Sequence, residues 1–326
     1  MNTRRKLLVL LGAAACVPLA SFAQPKQPVL IGWLNESSRE THGNRLVALK
    51  EGLTALGWKE GSQFVIEEYW ADGKRARTPA LAQELLAKKP AVIVAGGVGA
   101  AVVVARLAPP TPIVMGTGGD PVAAGVAASL ARPGGLVTGV TNLTDEVTEK
   151  YIELLLAAAP KLRRIGILYQ SSSPAYKPIL QAVRRSATQY SVEAHFADVA
   201  NAEEILPAIA KLAKEGAQAL VVMQTPMFQT ERRQIVKLAL ERRWPVVGGT
   251  RELVEEGALL GYGVETLENF RRAAVFVDKI LKGAKPGDLP IEQPTKLQLS
   301  VNQKTAKALG LKIPNSILMR TDKVIE

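Results

Sequence analysis

Six apolar runs of this chain end in short polar loops, and those loops carry the side chains best suited to hold a ligand. They read Asn35-Glu36-Ser37-Ser38, Gly96-Gly97-Val98-Gly99, Gly116-Thr117-Gly118-Gly119-Asp120, Tyr169-Gln170-Ser171-Ser172-Ser173, Gln224-Thr225-Pro226 and Gly248-Gly249-Thr250. Tyr262-Gly263 closes a seventh run. Hydroxyls, amides and one or two carboxylates describe a recognition surface rather than a proton-transfer site. Glycine-rich turns at helix starts expose backbone N–H groups, which suit a carboxylate. Glu36 and Asp120 could face an ammonium, and Tyr169 with Tyr176 could cover an apolar side chain. The candidate ligand-binding residues are therefore Asn35, Glu36, Ser37, Gly97, Thr117, Asp120, Tyr169, Ser171, Ser173, Tyr176, Gln224, Thr225, Thr250 and Tyr262. Asp120 reads equally well as the N-cap of a helix opened by Pro121. No arginine stands in these loops, which disfavours phosphates and dicarboxylates, because such anions ordinarily call for a guanidinium fork.

Signals for catalysis are weak. The two histidines, His42 and His195, are far apart; His195 reads as structural, whereas His42 follows the first run and could touch a ligand. No cluster has metal-ligand spacing. Gly97-x-Gly99 follows a strand as a dinucleotide fingerprint would, but Val102 stands where the third glycine belongs. A Gly-x-Ser-x-Gly elbow is absent. The expectation is a binding protein with no catalytic residue, metal or cofactor.

The elements that must position these loops form one strand–helix series written twice. In residues 29–141 strands at 29–34, 64–71, 91–96, 112–116 and 136–141 alternate with helices at 44–58, 78–89, 99–108 and 121–132. In residues 164–264 strands at 164–169, 192–198, 217–224, 245–249 and 258–264 alternate with helices at 175–190, 202–215, 228–243 and 250–256. Continuous apolar runs such as Ala91-Val92-Ile93-Val94-Ala95 suit strands buried on both faces of a parallel sheet. Regular alternation implies right-handed crossovers and an open sheet in each half. A linking helix at 145–159 belongs with the second half. A helix at 267–281, a Pro-rich connection, a strand at 296–301 and a short helix at 303–309 lie outside both repeats and should cross back between lobes. Two such lobes suggest a clamp that closes on a small solute.

Residues 1–23 read as a cleavable secretory signal: Arg4, Arg5 and Lys6, then an apolar stretch, then Ser21-Phe22-Ala23 before Gln24. The stretch is short and holds Pro18, which argues against a permanent membrane span. Both an ordinary and a twin-arginine signal fit Arg4-Arg5. The single cysteine, Cys16, lies inside this segment, so the processed chain would hold none. That excludes disulfides and thiolate chemistry. The length of 326 residues suits two domains. The net charge of +11 is spread over amphipathic helices as pairs such as Arg184-Arg185 and Arg242-Arg243, with no aromatic-interleaved stripe, so nucleic-acid binding is not expected.

Longer strings carry a family likeness. Gly119-Asp120-Pro121, the stretches 128–135 and 137–140, Tyr262-Gly263, 279–286 with 288–295, and Asn302 with 304–310 resemble the solute-binding proteins of ABC transporters in the tryptophan/tyrosine-uptake-like family. The resemblance spans the mature chain. It implies a type I periplasmic-binding-protein fold, α/β with two Rossmann-like lobes of parallel sheet joined by three hinge crossovers. It also implies a membrane permease with its ATPase as partners, and a periplasmic location. The first lobe is expected to comprise 29–141 plus 265–290, and the second 142–262 plus 291–326, with hinges near Thr141, Val264 and Ile291. The expected protein is a monomer that closes over an amino acid or a similar aromatic or zwitterionic compound. The alternative is a periplasmic sensor of the same fold that feeds a receptor.

Overall fold

The computed structural model describes residues 27–107, 109–142, 145–171, 176–294 and 296–326. The proposed signal segment with Cys16 lies outside these residues.

The first sheet holds five parallel strands: β1 (Val29–Asn35), β2 (Phe64–Trp70), β3 (Val92–Ala95), β4 (Ile113–Met115) and β5 (Val137–Gly139), in the order β2-β1-β3-β4-β5. The second holds seven strands. β6 (Arg164–Tyr169), β7 (Glu193–Asp198), β8 (Leu220–Val222), β9 (Val246–Gly248) and β10 (Leu260–Val264) run parallel in the order β7-β6-β8-β9-β10, the path of the first sheet over again. β11 (Leu297–Asn302) joins β10 antiparallel, and β12 (Lys323–Ile325) joins β11. The central strands are buried throughout, as in Val92–Ala95, because helices cover both faces.

Helices α1 (Arg39–Ala55), α2 (Thr78–Ala87) and α3 (Val98–Arg106) flank the first sheet. The second is flanked by α4 (Asp145–Ala158), α5 (Tyr176–Gln189), α6 (Ile205–Lys214), α7 (Pro226–Thr230), α8 (Arg232–Glu241) and α9 (Arg251–Glu255). After β10 the chain returns to the first lobe as α10 (Thr266–Leu281), which puts Phe270, Ala273 and Val277 among Trp33, Leu49 and Leu53. α10 crosses α1 closely. A Cβ on Gly52 would stand 2.7 Å from the Arg271 carbonyl oxygen, so the crossing needs glycine there. The chain then runs along the outer edge of β5, with Glu292 N donating to Gly139 O and Thr141 N to Glu292 O, both at 2.9 Å. From there it re-enters the second sheet as β11. The backbone thus passes between the sheets three times.

Three local expectations are corrected. The helix at 121–132 is a series of turns. Gly125 has φ 76°, Ala128 N bonds Pro133 O, and the returning strap takes the neighbouring groups through Gly134 N to Gly287 O and Ile291 N to Leu130 O. The helix at 228–243 is broken at Glu231 into α7 and α8. The tail has the expected helix as α11 (Gln303–Leu309) and adds β12 and α12 (Asn315–Leu318), which carry too few apolar residues to be read from periodicity.

Candidate functional site

The C-terminal ends of β1, β3 and β4 face that of β8 across a cleft of about 760 Å³, part of it open to solvent. Such a position is where open α/β sheets bind ligands, since helix N-termini and loops converge there.

The first lobe supplies the charge. Ser37 N donates to Asn35 Oδ1 at 2.9 Å, which turns the chain at the end of β1, and Ser38 then caps α1 by accepting from Thr41 N. α1 therefore starts five residues earlier than its apolar period suggested. Its first turns bring His42 and Arg45, three apart and so on one face, into the cleft wall, 2 % and 7 % exposed. Arg75 enters from the turn after β2, with Nε 3.3 Å from Glu36 Oε1. This pair lies flat against the first turn of α3, where Glu36 Oε2 and Arg75 Nη2 occupy the space a Cβ on Gly99 would need. Gly96, Gly97 and Val98 complete that wall. On the loop after β4, Thr117 Oγ1 accepts from Asn142 Nδ2 at 2.8 Å, and Asn142 Oδ1 accepts from Asn269 Nδ2 at 3.0 Å. Thr141 Oγ1 donates to Gly118 O at 2.9 Å. The site is thereby tied to the first crossover and to α10.

The second lobe is neutral. Gln224, Thr225, Pro226 and Gln229 line it, with Ile179 of α5. Thr225 Oγ1 caps α7 by accepting from Phe228 N at 3.1 Å, and Gln229 Nε2 donates to Thr250 Oγ1 at 3.1 Å. Ser37 Oγ reaches Pro226 O at 3.5 Å, so the lobes touch across the cleft.

Burial dominates the titration of the wall. Desolvation pushes the Glu36 carboxyl up, opposed by Arg75. It holds His42 well below its usual value, with Arg45 and Arg232 adding repulsion. It also lowers Arg45 to about 10, against the pull of Glu252 in α9. Asn35 Nδ2 and Glu36 Oε1 are buried with no hydrogen-bond partner among the described residues.

Seven of the sequence-derived candidates line the cleft together: Asn35, Glu36, Ser37, Gly97, Thr117, Gln224 and Thr225. Thr250 lies behind it, bonded to Gln229. Asp120 does not line it; the exposed carboxylate accepts from Val122 N (2.8 Å) and Ala123 N (3.2 Å) and holds a turn. Tyr169 and Tyr176 stack at 6.4 Å beside Phe196 of β7, toward the sheet edge instead of the cleft. Ser171 N donates to Asp198 Oδ1 at 2.8 Å, away from the cleft, and Tyr262 packs on the second-lobe core against Leu299. Ser173 lies outside the described residues. Sequence reasoning missed Arg45, Arg75, Asn142 and Gln229. The mouth loops hold no arginine, as read from the sequence, but Arg45 and Arg75 reach the cleft from α1 and from the turn after β2, so anionic ligands are not disfavoured in the cleft on that ground. Arg45 sits one residue before the buried Leu46, and a charge beside an apolar stripe was the available signal. Among the described residues no group of His, Cys, Asp and Glu could hold a metal ion, and no helix is long and apolar enough to cross a membrane.

Known proteins share this architecture. The family profile of ABC transporter substrate binding proteins matches residues 41–325. A tyrosine-binding protein of Clostridioides difficile (strain R20291) is 25% identical over 261 residues, which is 80% of this chain and 75% of that protein. A Streptococcus pneumoniae ABC domain in complex with L-Trp superposes with TM-score 0.85 at 24% identity, covering 91% of this chain and 100% of that one. A ligand-free, open substrate binding protein with adhesive properties from Clostridium difficile superposes with TM-score 0.65 at 24% identity, covering 91% and 99%.

Proposed function

Because the chain belongs to the ABC transporter substrate binding protein family, we propose that it is the exported receptor of an importer. It closes over a small organic ligand, an amino acid or a related aromatic or zwitterionic compound, and delivers it to a membrane permease driven by an ATPase. It works as a periplasmic monomer after removal of residues 1–23, and by binding rather than catalysis.

One observation carries the reading: a buried polar cleft is built from the strand mouths of both sheets, with Asn35 Nδ2 in its wall unpartnered among the described residues and Glu36 Oε1 held by an ion pair alone, with no hydrogen bond. Burying polar groups without partners is unfavourable, so the cleft is matched to a solute that completes them. The better superposition on the L-Trp complex than on the open protein, at equal identity, supports a closed arrangement of the lobes. Amino acids are the ligand class suggested by the tyrosine-binding relative and by that complex.

Thermal-shift screening of the processed chain against amino acids, organic acids and sugars tests this, since a ligand stabilises the state it binds by mass action. A hit should lower the radius of gyration in small-angle scattering as the lobes close. A bound ligand with an unchanged scattering curve would rule out the clamp. Loss of uptake on deletion of a co-encoded permease separates import from sensing.

A further inference from the structure

Arg45 differs from the other arginines around the cleft. Arg75 has Glu36 at 3.3 Å, Arg232 has Glu256 at 3.3 Å and Arg251 has Glu255 at 3.2 Å. Among the described residues Arg45 has no carboxylate within ion-pair distance and no hydrogen bond. Its guanidinium lies 5.9 Å from the centre of the Phe270 ring. It is nevertheless more than nine-tenths buried and lines the cleft. A buried cation with no carboxylate paired to it is costly, and a guanidinium in that position is matched to an acid. Its neighbours do not supply the pairing: Arg232 is a second cation, engaged with Glu256, and Glu252 acts on Arg45 only from beyond ion-pair distance.

We propose that Arg45 is the residue that reads the ligand, and that it reads one carboxylate: the cleft selects small organic monocarboxylates, with or without an α-ammonium. This rests on the solute-binding reading and narrows its ligand class. The ammonium is dispensable because the carboxylate that lines the cleft, Glu36, already faces Arg75. An amine approaching Glu36 would approach that guanidinium too. Asn35 Nδ2, which has no partner among the described residues, is left to donate to a neutral oxygen of the ligand or to its acid.

The test is calorimetry and thermal shift on the processed chain with two matched series. One is tyrosine, tyramine and 3-(4-hydroxyphenyl)propionate; the other is leucine, 3-methylbutylamine and 4-methylpentanoate. In the series that binds, the acid lacking the amine should stay within about fivefold of the amino acid. The amine lacking the acid should lose about tenfold or more, the size of a charge-assisted hydrogen bond. Arg45→Gln should weaken the acid by about tenfold or more and leave the ligand-free melting temperature unchanged or higher, while Arg45→Lys recovers part of the affinity. The analogue series needs no variant, so a misfolded Arg45→Gln does not remove the test. An amine that binds as tightly as its amino acid, or acid binding unmoved by Arg45→Gln, overturns the proposal. Stabilisation by neutral sugars alone overturns it and leaves the clamp standing. Silence from acids, amines and sugars together counts against both.

Discussion

The two lobes follow one strand path but differ in chemistry. β2-β1-β3-β4-β5 and β7-β6-β8-β9-β10 are the same walk, yet the first mouth carries Glu36, Arg45 and Arg75 while the second presents Gln224, Thr225 and Gln229. The charged wall is fixed from behind by packing: Phe270 stands between Trp33, 5.4 Å away, and Arg45. The neutral wall is fixed by a helix cap and an amide–hydroxyl pair. Charge acts over distance and can capture a ligand before closure, whereas amides and hydroxyls act only at contact. The division of chemistry therefore suits a sequence in which the first lobe binds and the second closes.

The largest way to break that comparison is to remove the support of the charged wall. Phe270→Ala should cost about 3–5 kcal/mol in urea denaturation, since the ring is fully buried. It should also weaken ligand binding in calorimetry, because Arg45 loses its backing. Unchanged affinity despite the lost stability would disconnect this core from the site. Gly99→Ala comes next: the added Cβ meets Glu36 Oε2 and Arg75 Nη2, so overpacking of about 1–3 kcal/mol and weaker binding are expected. Gly97→Ala is its control. Its backbone is extended at φ 178°, and the Cβ would meet only Thr117 O, at 3.8 Å. Equal melting temperatures for the two variants would show that the Glu36–Arg75 pair is not held against α3.

On the neutral side, Thr225→Ala should cost about 1 kcal/mol, the worth of an N-cap, and reduce affinity modestly as α7 loosens. If it hurts binding more than Gly99→Ala does, the order of the two walls is reversed.

How far these walls were legible in the sequence follows the same division. The neutral wall and the backbone mouths could be read because short polar residues after an apolar strand are local signals. Asn35, Thr117, Gln224 and Thr225 all sit within three residues of a strand end. Arg45, Arg75 and Asn142 could not be read that way. Arg45 is two helical turns beyond the strand, and its exposure to the cleft depends on α1 starting at Ser38 and on where the second lobe docks. Asn142 matters because the hinge passes over Thr117, a long-range fact. The tyrosines failed for a geometric reason: Tyr169 ends β6, whose neighbour β7 is the sheet edge, and the rings pack on Phe196 there. Asp120-Pro121 promised the start of a helix at 121–132, but the returning strap supplies hydrogen bonds that hold that segment in turns.

The smallest effect concerns the proton that the charged wall refuses. His42 is buried beside Arg45 and Arg232, its Nδ1 is 2.7 Å from Thr41 Oγ1, and its folded pKa lies well below the ordinary histidine value. Above about pH 7 both folded and unfolded forms are neutral at this position, so it contributes no pH dependence. As pH falls through about 6.5 the unfolded chain takes up a proton that the folded protein does not, and stability declines until the lower folded pKa is passed. The slope cannot exceed about 1.4 kcal/mol per pH unit, and only part of it is reached by pH 6. Glu36 works in the opposite direction, because its raised pKa favours the folded form on acidification, so the comparison must be between variants at each pH. His42→Gln should lose less stability than the parent chain when urea unfolding is measured at pH 7.5 and again at pH 6.0. Parallel losses in the two proteins would mean that His42 is protonated in the folded state, and that the cations of this wall do not set its charge.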